Sequence, residues 1–180
     1  MKNLVYIALG TTLIATSCNK QISSTTITEA KDNQTFADLD KARIKHLSLD
    51  IETDFNTHQI KGSAAYTFEN NQAKQLILDT EKLTIDSVLL ANGQKTTYKL
   101  GEKDSIKGQA LIIDVTPKDT IVKVFYKTSP DANALQWLNP QQTHDKKHPF
   151  LLSQGQAILT RSWIPIQDTQ SVRVTYDAKV

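Results

Sequence analysis

The sequence predicts an all-β domain, built as a sandwich or as a saddle-like arrangement of antiparallel or mixed sheets. From Lys45 onward, apolar and polar residues alternate with the period of two that is typical of half-buried strands. Short polar turns separate these runs at a spacing that favours a sandwich, and no segment shows a convincing amphipathic helix. The length of 180 residues fits one folded domain of ordinary size.

The first two strands are predicted in HLSLDIETDF and IKGSAAYTFE, which the turn NTHQ separates. Each segment places its apolar residues on one face and polar residues on the other, so the pair is predicted to form a hairpin. The residues on the predicted inner face are Leu47, Leu49, Ile51, Thr53 and Phe55 in the first strand and Ala64, Tyr66 and Phe68 in the second.

Further strand-like runs follow in the order QLILDT, LTIDSVLL, TTYKL, ALIIDV, IVKVFYKT, FLLSQGQAIL and SVRVTYDAKV. Asn92 and Gly93 separate the second and third of these runs and readily adopt the positive φ angles of a tight hairpin turn. The segment SPDANALQWLNPQQTHDKKHP interrupts the series of strands and short turns with one long connection. The length of this connection indicates a binding or contact role.

The charge pattern does not indicate nucleic-acid binding. The chain has 21 basic and 19 acidic residues, a net charge of +2, and its lysines are scattered singly among the acids. A nucleic-acid site needs a basic stripe interleaved with aromatic residues to neutralise phosphates, and the sequence has none.

The N-terminal residues predict export. Lys2 precedes an apolar stretch from Leu4 to Ala15, which is too short to span a membrane comfortably, so residues 1–17 are predicted to be a cleaved signal peptide. The string LIATSC resembles a bacterial lipoprotein signal, in which the cysteine becomes the lipidated first residue. We therefore expect lipidation at Cys18 and a membrane-anchored lipoprotein of the bacterial cell envelope, on its periplasmic or surface side. The alternative is a plain secretory signal with an incidental cysteine.

Residues 18–35 are polar, rich in serine and threonine, and without a periodic apolar face, which predicts a flexible tether. The folded domain is predicted over residues 36–180.

Two histidines raise the question of a metal site. His144 and His148 have the spacing of the H-E-x-x-H motif of zinc peptidases, but Pro149 disfavours a helix at this point and no third ligand follows. No G-x-S-x-G motif and no phosphate-binding glycine loop occurs either. The sequence therefore predicts neither catalytic residues nor metal ligands in this chain.

Two amides stand in the otherwise apolar run FLLSQGQAIL. If this strand is regular, Gln154 and Gln156 lie on the same face, with Gly155 and Ala157 opposite. From the residues alone, two roles are open: the amides satisfy neighbouring backbone in a core, or they line an open cleft.

The run HPFLLSQGQAILTRSWIPIQDTQSVRVTYDA resembles the end of the N-terminal domain of zinc aminopeptidases of the peptidase M1 family, of the leukotriene A4 hydrolase and aminopeptidase N type. The strings ALQW, HPF.LSQ.QA and P.QDT carry the resemblance, which covers about residues 42–180. The family resemblance implies an all-β domain that packs against a zinc-containing, thermolysin-like catalytic domain. It also implies that Gln156 helps to hold the free α-amino group of a peptide in the cleft, and that Gln154 is a second cleft glutamine.

The family's motifs H-E-x-x-H and G-x-M-E-N do not occur in this sequence. We therefore expect a domain truncated at its C-terminal end, inactive alone and without a cofactor, whose parent enzyme holds zinc in a catalytic domain. The implied partners are that catalytic domain, peptides with a free N-terminus, and a membrane through the lipid anchor. The last strand is expected to find its later pairing partners beyond Val180. The alternative is a stand-alone envelope lipoprotein that binds a peptide, a glycan or a protein.

Overall fold

The structure of the chain, a computed structural model, describes residues 32–180 and confirms the all-β prediction. Within these residues, ten strands form sheets of five, three and two strands. The strands are β1 (Ala42–Asp54), β2 (Gln59–Asn70), β3 (Gln75–Thr80), β4 (Thr84–Leu90), β5 (Tyr98–Asp104), β6 (Gly108–Asp114), β7 (Ile121–Lys127), β8 (Leu135–Leu138), β9 (Phe150–Ser153) and β10 (Thr175–Lys179). Two short 3₁₀ turns are Pro140–Gln142 and Thr160–Ser162.

The predicted signal peptide (residues 1–17), Cys18 and most of the predicted tether (residues 18–35) lie outside the described residues. The end of the tether segment is described and contacts the domain, since the Thr35 hydroxyl donates to Asp79 over 2.6 Å. Ordered contacts therefore begin slightly ahead of the boundary predicted at Phe36. In the described part of the chain, no helix has the length and apolar character needed to cross a membrane.

The five-stranded sheet has the order β10–β1–β2–β7–β4, with β10 parallel to β1 and the other pairs antiparallel. The predicted hairpin of β1 and β2 is confirmed, and its inward residues include the fully buried Ala64 and Tyr66. A bulge between Ile44 and His46 lets Ile44 and Leu47 both face the core, although they are three residues apart.

The three-stranded sheet, of order β3–β6–β5, supplies the other side of the core. Its buried residues Leu76, Leu111 and Ile113 belong to one apolar cluster with residues of the five-stranded sheet such as Val124. The Tyr66 hydroxyl crosses this core and donates to the Pro165 carbonyl. Burial raises the pKa of Tyr66, which keeps the hydroxyl protonated as a donor.

The tight turn at Asn92–Gly93 is confirmed. Gly93 has a φ of 79°, and its N–H donates to the Leu90 carbonyl over 2.9 Å. The strands on either side of this turn, β4 and β5, do not form an extended hairpin; a single bridge joins Leu89 to Lys95. The reason is that β4 belongs to the five-stranded sheet and β5 to the three-stranded sheet.

Two predictions about the C-terminal half were wrong. The long connection predicted after β7 contains β8, which pairs with β9 in the two-stranded sheet; four residues are too few for a periodic pattern to reveal. The last strand begins at Thr175 rather than at Ser171, and one of its edges pairs in parallel with β1, which the sequence analysis did not predict. The expectation of further pairing partners beyond Val180 concerns the other edge and stays a prediction. Parallel pairing joins segments that are far apart in sequence, so the local pattern cannot identify the partner.

Arg161 lies in the 3₁₀ turn Thr160–Ser162 and is fully buried. Its Nε donates to the Asp168 carboxylate over 3.2 Å, and its Nη2 donates to the Asp168 carbonyl over 2.8 Å. Nη1 donates to the Lys107 carbonyl over 2.6 Å, and Nη2 also donates to the Gln34 carbonyl over 2.7 Å. One guanidinium therefore joins the N-terminal segment, the β5–β6 turn and the segment that follows β9.

Asp79, on β3, is the second buried charge of this cluster, 3.7 Å from the Arg161 guanidinium. Its carboxylate accepts hydrogen bonds from the Thr35 hydroxyl and from the backbone N–H groups of Phe36 and Asp168. Burial raises the pKa of Asp79, while these hydrogen bonds and the nearby guanidinium act in the opposite direction. These partners therefore reduce the cost of burying the Asp79 carboxylate without cancelling it.

Replacing Arg161→Leu is expected to destabilise the domain by about 3–5 kcal/mol, because the Asp79 and Asp168 carboxylates would lose their buried cation. The midpoint of urea unfolding measures the loss. Arg43→Leu is the control, since Arg43 is half-buried and donates to the Ser171 carbonyl over 3.1 Å, a hydrogen bond worth about 1 kcal/mol. Equal losses for the two variants would contradict a structural role for the Arg161 cluster.

Candidate functional site

The two predicted site residues lie in a loop rather than in a strand. We call residues 154–159 the glutamine loop; it follows β9 and leads into the 3₁₀ turn Thr160–Ser162. The prediction of one regular strand from Phe150 to Leu159 was wrong, because β9 has only the four residues of β8 to pair with and ends at Ser153. Gln154 and Gln156 therefore do not share a pleated face, and the peptide bond between Gln156 and Ala157 is cis.

Both amides are exposed. The Gln154 side-chain oxygen accepts a hydrogen bond from the Gln156 N–H over 3.1 Å, which orients this amide within the loop. The Gln156 side chain makes no hydrogen bond with other described residues. The two amides are thus available to a ligand, and they do not serve buried backbone groups in the core.

The glutamine loop is held at both ends by the residue that precedes β8. The Ala134 carbonyl accepts from the Gln154 N–H over 2.8 Å, and the Ala134 N–H donates to the Ser162 hydroxyl oxygen over 2.9 Å. That hydroxyl donates in turn to the Leu159 carbonyl over 2.7 Å. The loop ends are fixed relative to each other, so the backbone that carries the glutamines is preorganised.

Gly155 allows the glutamine loop to fold tightly. A Cβ at this position would lie 2.4 Å from the Thr160 hydroxyl oxygen, closer than van der Waals contact permits. Gly155 is therefore needed for packing inside the loop, where it lies against Thr160. Ala157, the other small residue, is exposed.

The β8–β9 hairpin that carries the loop is attached to the domain through Trp137. The His58 ring stacks on Trp137 with a centroid separation of 5.3 Å, and Phe55 meets its edge at 5.2 Å. The opposite face of the hairpin remains uncovered, with Phe150 and Leu152 exposed by 54% and 45%. Two exposed apolar side chains thus lie directly beside the glutamine loop.

A different glutamine performs the buried backbone role. Gln167 is buried: its side-chain oxygen accepts from the Ile44 N–H over 3.0 Å, and its amide nitrogen donates to the Ala42 carbonyl over 2.8 Å. These two hydrogen bonds satisfy backbone groups of β1 next to its bulge. The sequence interpretation missed Gln167, Arg161 and Asp79. The available signal was the placement of polar residues inside apolar runs, as in ILTRSWIPIQ.

The described residues do not fit a zinc site. Within residues 32–180, no group of three or more His, Cys, Asp or Glu side chains could hold a metal ion. His144 and His148 lie in an irregular segment before β9 rather than on a helix. Asp145 accepts from the backbone N–H groups of Lys147 and His148, and these hydrogen bonds hold its pKa below the usual range. The Asp145 carboxylate therefore stabilises the turn in which it lies.

Comparison with known proteins identifies the fold and its relatives. The model of the peptidase M1 N-terminal domain family matches residues 43–180. Leukotriene A-4 hydrolase of Xenopus laevis is 42% identical over 156 residues, which cover 83% of this chain and 26% of that protein. Leucine aminopeptidase 2 of Yarrowia lipolytica is 36% identical over 154 residues, 83% of this chain and 24% of that protein. The chain therefore spans about a quarter of the length of these curated relatives.

Solved structures give the same result. The yeast leukotriene A4 hydrolase in complex with bestatin superposes with a TM-score of 0.76 at 28% identity, covering 84% of this chain and 24% of that one. An M1 zinc metallopeptidase from Deinococcus radiodurans, with a TM-score of 0.59 at 14% identity over 77% of this chain and 32% of that one, shares the fold. With the family match over residues 43–180, these findings confirm the resemblance in the sequence: the chain belongs to the peptidase M1 N-terminal domain family.

Proposed function

We propose that this chain is the non-catalytic N-terminal domain of an exported zinc aminopeptidase that removes N-terminal residues from peptides. In this proposal, the glutamine loop contacts the free α-amino group of the peptide. The observation that carries it is the pair of exposed amides on a loop fixed at both ends. The family membership and the activities named for the relatives, a leukotriene A-4 hydrolase and a leucine aminopeptidase, support it.

The chemistry of an amide suits an ammonium ligand. The Gln156 side-chain oxygen has no partner among the described residues and can accept a hydrogen bond from the α-amino group. The Gln154 oxygen accepts one backbone N–H over 3.1 Å and keeps a second lone pair for the ligand. A hydrogen bond to a charged donor is worth about 1.5–3 kcal/mol, provided that bulk water is kept away. The exposed loop therefore needs a second protein surface to cover it.

That second surface would be the catalytic domain of the parent aminopeptidase. The uncovered apolar face of the β8–β9 hairpin lies beside the glutamine loop, and a domain packed on it would close a cleft over the amides. Because residues 32–180 hold no group of metal ligands, the zinc and the groups that act on the peptide bond would belong to the catalytic domain. The N-terminal domain would position the peptide substrate by binding the peptide's α-amino group.

Export and membrane anchoring complete the proposal. LIATSC supports lipidation of Cys18, and the polar segment after it would let the domain stand off the membrane. A diacylated cysteine supplies the two chains that stable anchoring requires. The enzyme would then act at the cell envelope, on peptides that reach the outer compartment.

An antibody raised against residues 32–180 is expected to detect a polypeptide about four times as long as this chain in the producing cells, since the chain spans about a quarter of its relatives. The purified protein should contain one zinc ion per chain and release N-terminal amino acids from peptides. A protein of only this length, with no catalytic subunit attached, would instead support a stand-alone envelope lipoprotein that binds a peptide, a glycan or a protein.

In the enzyme that carries this domain, Gln156→Ala should raise KM for peptides with a free N-terminus about tenfold to a hundredfold, the equivalent of one charge-assisted hydrogen bond. Thermal unfolding should change little, because the Gln156 side chain is exposed and makes no hydrogen bond with described residues. Gln170→Ala is the matched control, since Gln170 is also exposed but lies outside the loop. Unchanged KM values for Gln156→Ala, or equal shifts in both variants, would refute the role of the loop.

Cys18→Ser should move the protein from the membrane pellet to the soluble fraction, because the acyl chains would have no attachment site. Fractionation of the producing cells measures this, and mass spectrometry of the first residue checks the acylation. Ser24→Ala, a change in the same polar segment, should leave the protein in the pellet. If Cys18→Ser and the unaltered protein fractionate alike, Cys18 is not the anchor.

A further inference from the structure

Residues 32–36, the N-terminal segment, lie against the buried charge cluster, although the sequence predicts most of them as tether. The Gln34 carbonyl accepts a hydrogen bond from Arg161 Nη2 over 2.7 Å. Thr35 is buried, and its hydroxyl donates to the Asp79 carboxylate over 2.6 Å. The segment therefore binds both a buried cation and a buried anion of the domain.

The long-range contacts of the N-terminal segment are polar and are directed to the chain that follows β9. Only Thr35 of the segment is buried, and none of its residues belongs to the apolar cluster between the two sheets. The Asp32 carboxylate accepts from the hydroxyl groups of Thr169 and Ser171. The Thr169 hydroxyl and the Gln34 backbone N–H hold the pKa of Asp32 below its usual range, so Asp32 stays an ionised acceptor.

The β5–β6 turn holds the segment from another direction. Lys107 Nζ lies 4.3 Å from the centre of the Phe36 ring, a distance at which a cation is attracted to an aromatic face. The Lys107 carbonyl accepts from Arg161 Nη1 over 2.6 Å. One residue of the turn thus contacts both the N-terminal segment and the guanidinium that the segment covers.

A short series of hydrogen bonds connects Thr35 to the glutamine loop. Asp79 Oδ2, which accepts from the Thr35 hydroxyl, also accepts from the Asp168 N–H over 2.8 Å. The Asp168 carboxylate accepts from the backbone N–H and from Nε of Arg161, over 3.1 and 3.2 Å. Arg161 lies in the 3₁₀ turn into which the glutamine loop leads. Two carboxylates thus connect Thr35 to the turn at the end of the loop.

We propose that the N-terminal segment positions the glutamine loop for the α-amino group of the peptide, with Thr35 as a positioning residue. This inference rests on the proposed function of the loop. Because Asp79 is buried, bulk water can replace a lost donor only when the cluster opens. Opening would release the 3₁₀ turn, and the amides of the loop would spend less time where the ligand binds them.

Amide hydrogen exchange of the full protein measures how firmly the loop is held and requires no activity. The reporters are the Leu159 N–H, which donates to the Gly155 carbonyl over 2.8 Å, and the Ser162 N–H, which donates to the Leu159 carbonyl over 3.0 Å. Thr35→Val keeps the shape of the side chain but removes the donor, and should speed exchange at both reporters about tenfold. Thr35→Ser keeps the hydroxyl and should restore slow exchange.

Thr128→Val is the matched control for a general loss of stability. Thr128 is also buried, and its hydroxyl oxygen accepts from the Ile60 N–H over 2.9 Å at a place outside the Arg161 cluster. This variant should lower the midpoint of thermal unfolding but leave exchange at the two reporters unchanged. Unchanged exchange in Thr35→Val, or equal acceleration in Thr35→Val and Thr128→Val, would overturn the proposal.

Kinetics of the enzyme that carries this domain test whether the position of the loop matters for binding. Thr35→Val should raise KM for peptides with a free N-terminus about threefold to tenfold with kcat unchanged, and Thr35→Ser should restore KM. In a Gln156→Ala background, Thr35→Val should add less than it does alone, because both changes act on the same contact.

Full additivity of the two KM changes would overturn the positioning role of Thr35 and leave the proposed function of the loop intact. If Gln156→Ala alone leaves KM unchanged, the proposed function of the loop is refuted instead. The exchange measurement separately decides whether Thr35 fixes the position of the loop, since it depends on no substrate.

Discussion

The architecture depends on the burial of one guanidinium. A charged group loses several kcal/mol of hydration when it is buried, so it is retained only where its donors and its charge find partners. Arg161 finds them in Asp168, Asp79 and two backbone carbonyls that belong to different parts of the chain. These contacts hold the N-terminal segment, the β5–β6 turn and the segment after β9 together. The backbone bridge between Asp79 and Ile166 also joins β3 to the segment after β9.

The glutamine loop is joined to the 3₁₀ turn that carries Arg161. The loop ends where the 3₁₀ turn of Arg161 begins, and the neighbouring Ser162 hydroxyl ties that turn to Leu159 and Ala134. Polar side chains at the other end of the segment serve the core: Gln167 satisfies the backbone of β1, and Asp168 binds the guanidinium. The segment therefore separates its amides by function, with Gln167 structural and Gln154 and Gln156 left exposed.

The surfaces of this domain suit a protein that is covered on more than one side. The outer face of the β8–β9 hairpin exposes Phe150 and Leu152 beside the glutamine loop, and the edge strand β10 exposes Tyr176. These residues lie outside the apolar cluster between the two sheets. Phe150 and Leu152 belong to the face that the catalytic domain would cover in the proposed enzyme.

By itself, the sequence determined the fold class, the β1–β2 hairpin, the Asn92–Gly93 turn and the family, because alternating polarity and turn residues act over a few neighbouring positions. Family motifs also directed attention to Gln154 and Gln156, although the strand predicted around them was wrong. The parallel pairing of β10 with β1, the short β8 and the roles of Arg161, Asp79 and Gln167 were decided only by tertiary structure. Each depends on partners that are distant in sequence, and a buried charge or amide shows its purpose only when the group it satisfies is in place.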